Sequence, residues 1–249
     1  MNKLLHRLKQ NKIICLAWVI LSKMTIVNEK ELKLLRRFIN KGDIVLDIGA
    51  NIGSYTYAIS STVGNSGKVF AFEPLPDNLR ILSFIKKFLR LSNTIIIPEA
   101  LSEKQGKMSL YVPTIDGAKK NTRAYLSPER SADCINVNVT TISEIADRHK
   151  INRIDFIKCD AEGAEAMVFR GGENIIKKCR PVILCELGAA SANYGLNDYD
   201  VFNYIKGMCD YNVYVFLNNK LNPVDVFKEE YSNYIFTKQV YIEAGAMNT

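Results

Sequence analysis

The sequence predicts an α/β fold: one domain built on a mostly parallel seven-stranded sheet, with helices on both faces and a small inserted strand pair. Three observations predict it. Short apolar, β-branched runs alternate with segments of helical period, and right-handed crossovers turn that alternation into a parallel sheet covered on both sides. Hydrophobic residues make up 47% of the 249, with only 14 Gly and 7 Pro. That profile excludes collagen-like, low-complexity and disordered chains. No repeat or linker divides the chain, and its length suits a single domain.

Residues 1–41 read as a basic helical segment ahead of a domain over residues 42–249. This segment holds ten Lys/Arg and two acids, a net +8, whereas the remaining 208 residues sum to −1. The chain's overall charge of +7 therefore belongs to its N-terminus. The run from Ile13 to Leu21 is apolar for nine residues, against about 20 for a membrane span. No small-x-small cleavage pattern follows it. Two readings stay open. One is a helix docked on the domain through Leu5, Leu8, Leu16 and Val19. The other is peripheral membrane contact, with Trp18 at headgroup level and lysines against acidic lipid.

The elements then follow in order. Leu32, Leu35, Phe38 and Ile39 have helical spacing over Glu29 to Asn40, with Asn28 as N-cap. Gly42-Asp43 breaks the pattern before a buried strand, Ile44 to Ile48. The turn Gly49 to Gly53 leads into a helix reaching about Ser61. A second strand, Lys68 to Phe72, ends at Glu73-Pro74. A helix over Asp77 to Leu91 buries Leu79, Leu82, Ile85 and Leu89, and Ile95 to Ile97 is the third strand. Residues 106–141 are more polar and carry the inserted pair, Met108–Val112 with Ile135–Thr140. A short helix (Ser143–His149), a fourth strand (Ile154–Lys158) and a helix (Glu165–Cys179) follow. Pro181 stops that helix before strand five, Val182–Glu186. A helix from Asp198 to Cys209, strand six from Tyr211 to Leu217 and a closing strand from Tyr234 to Thr237 complete the domain.

Composition removes some chemistry. Only His6 and His149 are present, which argues against Ser-His-Asp machinery and multi-histidine zinc sites. The six cysteines form no C-x-x-C pair and read as reduced thiols of a cytoplasmic protein.

Ligands of an open α/β sheet bind beyond the carboxyl ends of its strands. Asp47, Glu73, Glu99, Asp160 and Glu186 stand at five such ends. Five carboxylates disfavour a pyrophosphate cofactor and favour a ligand bearing positive charge or many hydroxyls. The turn Gly49-Ala50-Asn51-Ile52-Gly53 agrees, because a dinucleotide fingerprint would need glycine where Asn51 stands. Gly49 permits close approach of backbone to ligand, and Gly53 permits tight packing of the next helix. Glu73 lies twenty residues beyond Gly53, where an acid receives ribose hydroxyls. Together these point to a nucleoside.

The stretch Asp47-Ile48-Gly49-Ala50-Asn51-Ile52-Gly53-Ser54-Tyr55-Thr56 resembles the first motif of class I S-adenosylmethionine-dependent methyltransferases, and more narrowly the FkbM family. Phe72-Glu73-Pro74-Leu75-Pro76-Asp77-Asn78 is similar to that family's second motif. Ile157 to Glu165 (IKCDAEGAE) and Arg180 to Glu186 (RPVILCE) resemble its later blocks. The resemblance runs in order from about Asp43 to Glu186. It implies a Rossmann-like methyltransferase domain that binds S-adenosyl-L-methionine. Asp47, Gly49, Ala50, Asn51 and Gly53 would lie at the methionine end, Glu73 at the ribose, and Glu99, Ala100 and Leu101 beside the adenine.

The activity implied is O-methylation of a hydroxyl on a sugar, glycan precursor or secondary metabolite. A hydroxyl must lose its proton; with no histidine in the motifs, Asp160 is the candidate base, with Glu162 beside it and Glu165 structural. A divalent cation shared by Asp160 and Glu186 is conceivable, though two separate carboxylates are the preferred reading. Residues 106–141 would cover the substrate, where Tyr111, Arg123 and Tyr125 are acceptor contacts or ordinary surface residues. Acidic strand ends disfavour nucleic acid, so an RNA methyltransferase using the basic segment is the alternative, beside a non-catalytic S-adenosylmethionine-binding module.

Overall fold

The central sheet has eight strands in the computed structural model, which describes residues 12–24, 33–115, 118–119, 124–127, 134–188 and 190–241. The chain enters through helix α1 (Lys12–Met24) and a helical stretch over residues 33–38. It then alternates β1 (Ile44–Ile48), α2 (Ser54–Val63), β2 (Lys68–Phe72), α3 (Pro76–Phe88) and β3 (Thr94–Ile97). A second sheet is built from β4 (Ala100–Leu101), β5 (Gly106–Tyr111), β8 (Tyr125–Ser127) and β9 (Cys134–Thr140), with a separate hairpin of β6 (Thr114–Ile115) and β7 (Ala118–Lys119). The main sheet resumes through α4 (Ile142–His149), β10 (Phe156–Cys159), α5 (Glu165–Arg170), α6 (Glu173–Cys179) and β11 (Val182–Glu186). It ends with α7 (Asp198–Met208), β12 (Asn212–Leu217), β13 (Lys220–Pro223) and β14 (Asn233–Thr237).

Strand order is β13-β12-β14-β11-β10-β1-β2-β3. The five strands from β11 to β3 are parallel, and β14 runs antiparallel to both neighbours. The chain moves outward from β1 through β2 and β3, then returns to place β10 on the other side of β1. That reversal opens a crevice above β1 and β10, the place where ligands bind in such sheets.

Alternation along the buried strands sorts side chains to two faces. Leu46, Ile48, Phe72, Ile157 and Cys159 join one apolar cluster with Phe169, Phe202 and Phe236. Val45, Phe156 and Leu184 join the other, with Ile59 and Val63 of α2 and Leu35 and Phe38 of the 33–38 helix. Asp47 and Lys158 are register partners and follow the parity of Val45 and Phe156. They therefore lie on the α2 side.

Four sequence expectations change. The eighth strand is β13, joined to β12 through Asn218-Asn219 with both φ positive, 51° and 61°. Such a turn joins antiparallel strands tightly, but it carries no glycine and its second strand ends in Pro223. The inserted pair, β5 with β9, gains β4 and β8 to make four strands; both are too short to show periodicity. The helix expected over Glu165–Cys179 is two helices parted at Gly171-Gly172. A Cβ at Gly171 would meet the Ser102 carbonyl oxygen at 2.1 Å, and one at Gly172 would meet Ile142 at 2.6 Å. Close approach of these neighbours, rather than helical period, fixes the break. The helix after β2 starts at Pro76 and stops at Phe88, consistent with proline's preference for a first turn.

Helix α1 lays Cys15, Leu16 and Val19 against Ile81 and Ile85 of α3. Residues Leu5, Leu8, Asn28 and Leu32, and the side chain of Trp18, lie outside the described residues. Among the described residues no helix is long and apolar enough to cross a membrane.

Candidate active site

The turn after β1 is pinned to the end of β2. The amides of Gly49 and Ala50 donate to the Phe72 carbonyl at 3.1 and 2.9 Å. Asn51 adopts left-handed φ, 52°, which asparagine tolerates better than most residues. Its amide donates to Glu73 Oε2 at 2.8 Å, while the Leu75 amide donates to Glu73 Oε1 at 2.9 Å. Glu73 is thus a buried carboxylate bridging the first two strand ends. Burial pushes its carboxyl up to about 7, opposed by these two amides, the Asn78 side chain and Lys158. The two amides and the Asn78 side chain take three of the carboxylate's four lone pairs and leave one for a further donor.

The opposite wall is the loop after β10. Glu165, fully buried at the start of α5, accepts the Ala161 amide at 2.8 Å and the Gly163 amide at 3.2 Å through Oε1. Burial raises its carboxyl to about 7 against those donors. This clamp holds Glu162 at φ 51°, a conformation that disfavours a long L side chain by about 1 kcal/mol. Strain of this kind concentrates at functional sites.

Between the walls lies an open cleft, about 640 Å³ of empty space with its mouth counted in. Its lining brings together Gly49, Asn51, Glu73, Glu99, Ala100, Leu101, Asp160 and Glu162. Eight of the residues singled out from the sequence therefore meet in one place. Asp47, Ala50 and Gly53 do not line it. Asp47 is fully buried behind the glycine turn, with its Oδ2 accepting from Thr56 Oγ1 at 2.5 Å. Glu186 ends β11, next to β10 as expected, but stands exposed and away from the cleft. Asp160 and Glu186 thus do not share it, and no cluster of three or more potential metal ligands exists among the described residues. Glu99 reaches the cleft with its carboxylate held by Arg148 at 2.5 Å.

The insert supplies the roof. Leu110 of β5 and Tyr125 and Leu126 of β8 line the cleft, and Tyr111 packs against Tyr125 with ring centroids 5.3 Å apart. Arg123 lies outside the described residues.

Sequence reasoning missed Lys158. Its ammonium, almost fully buried, lies 3.1 Å from Asp160 Oδ2, 3.4 Å from the Gly49 carbonyl and 5.1 Å from the centre of the Tyr55 ring. Burial alone would lower its pKa; attraction to Asp160 and Asp47 outweighs that and raises it. Lys158 therefore stays charged and ties the glycine turn to Asp160. The available signal was a lysine inside an otherwise apolar buried strand, FIKC, since buried lysines are almost always paired.

A cleft at the switch point of a doubly wound sheet, with a glycine turn on one wall and carboxylates on both, stands where open α/β proteins take their ligands. The sequence model of the methyltransferase FkbM domain matches residues 47–213, more than half of the chain, and the chain belongs to that family. No curated protein matches the sequence. Among solved structures, the chain is similar to the FkbM methyltransferase of Methylobacillus flagellatus KT, at 18% identity and a TM-score of 0.52. That match covers 78% of this chain and 43% of the other, so this chain spans less than half of that relative's length. It is also similar to an S-adenosylmethionine-dependent O-methyltransferase of Thermotoga maritima, at 15% identity and a TM-score of 0.47, covering 92% and 72% of the two chains. A third likeness is to fibrillarin of Aeropyrum pernix with natively bound S-adenosylmethionine (14% identity, TM-score 0.44, 83% and 73% covered). These likenesses concern the fold.

Proposed function

We infer that this protein binds S-adenosyl-L-methionine in the cleft and catalyses methyl transfer to a hydroxyl of a sugar, glycan precursor or secondary metabolite. The observation that carries the reading is the convergence of Gly49, Asn51 and Glu73 on one wall with Asp160 and Glu162 on the other. The lining fits the cofactor: Glu73 is a buried carboxylate with an acceptor site left for a ribose hydroxyl, and Gly49 and Asn51 stand in the same wall. S-adenosylmethionine, when bound, supplies a methyl group already activated by its sulfonium. Glu73 accepts a ribose hydroxyl, and Ala100 and Leu101 offer an apolar bed for a base. Asp160, fixed by Lys158, orients the acceptor hydroxyl and takes its proton. Leu110, Tyr125 and Leu126 exclude water from above.

The test is methyl transfer from labelled S-adenosylmethionine across a panel of nucleotide sugars, glycans and RNA. Label should reach a hydroxyl-bearing small molecule or glycan. Transfer to RNA alone would replace this acceptor class. With the acceptor found, Asp160→Asn should lower kcat about a hundredfold or more at unchanged cofactor affinity; full activity would remove Asp160 as base.

Cofactor affinity should also rise with pH. A Glu73 carboxyl raised to about 7 is protonated on the acid side and a good hydroxyl acceptor only when ionised. Its raised pKa contributes folding stability below the unfolded carboxylate range, and that contribution is lost as pH rises through about 7. Hydroxyl donors favour the ionised form, so calorimetric affinity strengthens through the same window. Glu73→Gln should bind weakly at every pH and flatten the dependence of apo melting temperature on pH. A wild-type affinity that does not change with pH would exclude Glu73 from the contact.

A further inference from the structure

We propose that the face shared by α1 and the C-terminal half of α3 docks the protein on an anionic phospholipid surface, independently of the methyl-transfer reading. Three large apolar side chains stand out in water there: Ile13 at 70%, Ile14 at 39% and Phe88 at 59% exposure. The two helices that carry them pack against each other. The Lys12 ammonium lies over the Phe84 ring at 5.6 Å from its centre. Phe84 in turn packs against Phe88 with centroids 5.9 Å apart. Beneath them, Cys15, Leu16 and Val19 seat α1 on Ile81 and Ile85, so the exposed apolar groups sit on a fixed base.

Charge identifies the partner. Lys12 precedes Ile13 and Ile14 on α1, Lys86 and Lys87 precede Phe88 at the end of α3 and Arg90 follows it, and among the described residues none of the four is in an ion pair. From Met1 to Asn28 the sequence has five Lys/Arg and no acid, and from Asn78 to Pro98 four and no acid. Cations around protruding aliphatic and aromatic groups match a surface of acidic headgroups over acyl chains. A nucleic acid would use the cations but give Ile13 and Ile14 nothing to contact.

The geometry also sets an orientation. Helix α3 starts at Pro76, beside the cleft-lining Leu75, and ends at Phe88. Thirteen residues span about 20 Å. The docking face thus lies at the end of α3 remote from the cleft, and the protein would rest on lipid with its cleft open to water.

Flotation of the full chain with vesicles tests this. The protein should rise with phosphatidylcholine–phosphatidylserine vesicles and not with phosphatidylcholine alone, and added salt should release it. Lys86→Gln with Lys87→Gln should weaken partitioning about tenfold or more, each cation being worth about 1 kcal/mol at such a surface. Phe88→Ser should weaken it at unchanged melting temperature. Failure to float on anionic vesicles overturns the proposal, as does flotation indifferent to both variants. Retention of RNA by a protein that ignores vesicles would assign the face to a polyanion instead.

Discussion

Lys158→Met should cost about 3 kcal/mol of folding stability, read as a drop in melting temperature. The ammonium pairs with the partly exposed Asp160 at 3.1 Å and attracts the fully buried Asp47, its register partner on β1. Breaking a buried pair by removing one partner costs about 3–5 kcal/mol, because a charge is left behind without compensation. The lower end applies, since the Asp160 side chain is 31% exposed and water screens part of its loss. Asp47 suffers most. Burial already raises its carboxyl above the usual value, against the opposing pull of Lys158 and Thr56. Without Lys158 that rise grows, and Asp47 must protonate in order to remain buried. A raised carboxylate pKa gives stability that is complete below the unfolded value and is lost as pH increases. The variant should therefore lie closest to wild type in acid and fall further behind as pH increases. Adding Asp47→Asn should recover part of the loss. An unchanged melting temperature at neutral pH would show that the cation's position is incidental.

The motif residues were legible because a doubly wound sheet puts strand ends in one crevice, and five of those ends carry acids. Glu73 and Asp160 needed only that rule to be brought together. Asp47 reads as another such end; its place in the sheet depends on pairing register, which aligns it with Lys158 rather than with the opening. The Lys158 contacts were illegible for the same reason: they join residues far apart in sequence through strand order. Arg148 on Glu99 is a similar long-range pair. Local signals also failed where a neighbour decides the conformation. Gly171-Gly172 lies in a run of helical period, and only the approach of Ser102 and Ile142 splits it. The four-stranded insert reads as a pair in sequence because β4 has two residues and β8 three, fewer than a period-2 pattern needs.

Gly49→Ala should remove S-adenosylmethionine binding and destabilise the fold by about 2–4 kcal/mol, combining left-handed strain with overpacking. The site has φ of 74° and a new Cβ would fall 1.9 Å from the Asp160 carbonyl oxygen. That oxygen is backbone at the end of β10, so no side chain can rotate away. Relief requires β1 and β10 to part, and parting them moves the Asn51 and Glu73 wall away from Asp160 and Glu162. Gly53→Ala is the control. It also has positive φ, 99°, but its Cβ would meet Leu82 Cδ1 at 2.6 Å, the far end of a flexible side chain that can shift. The two alanines thus share backbone strain and differ in what they strike. Calorimetry should find binding lost in Gly49→Ala and only weakened in Gly53→Ala, with the melting temperature lower in the former. Equal losses would mean that backbone strain alone sets the requirement for glycine. Wild-type affinity in Gly49→Ala would place the cofactor elsewhere than against this turn.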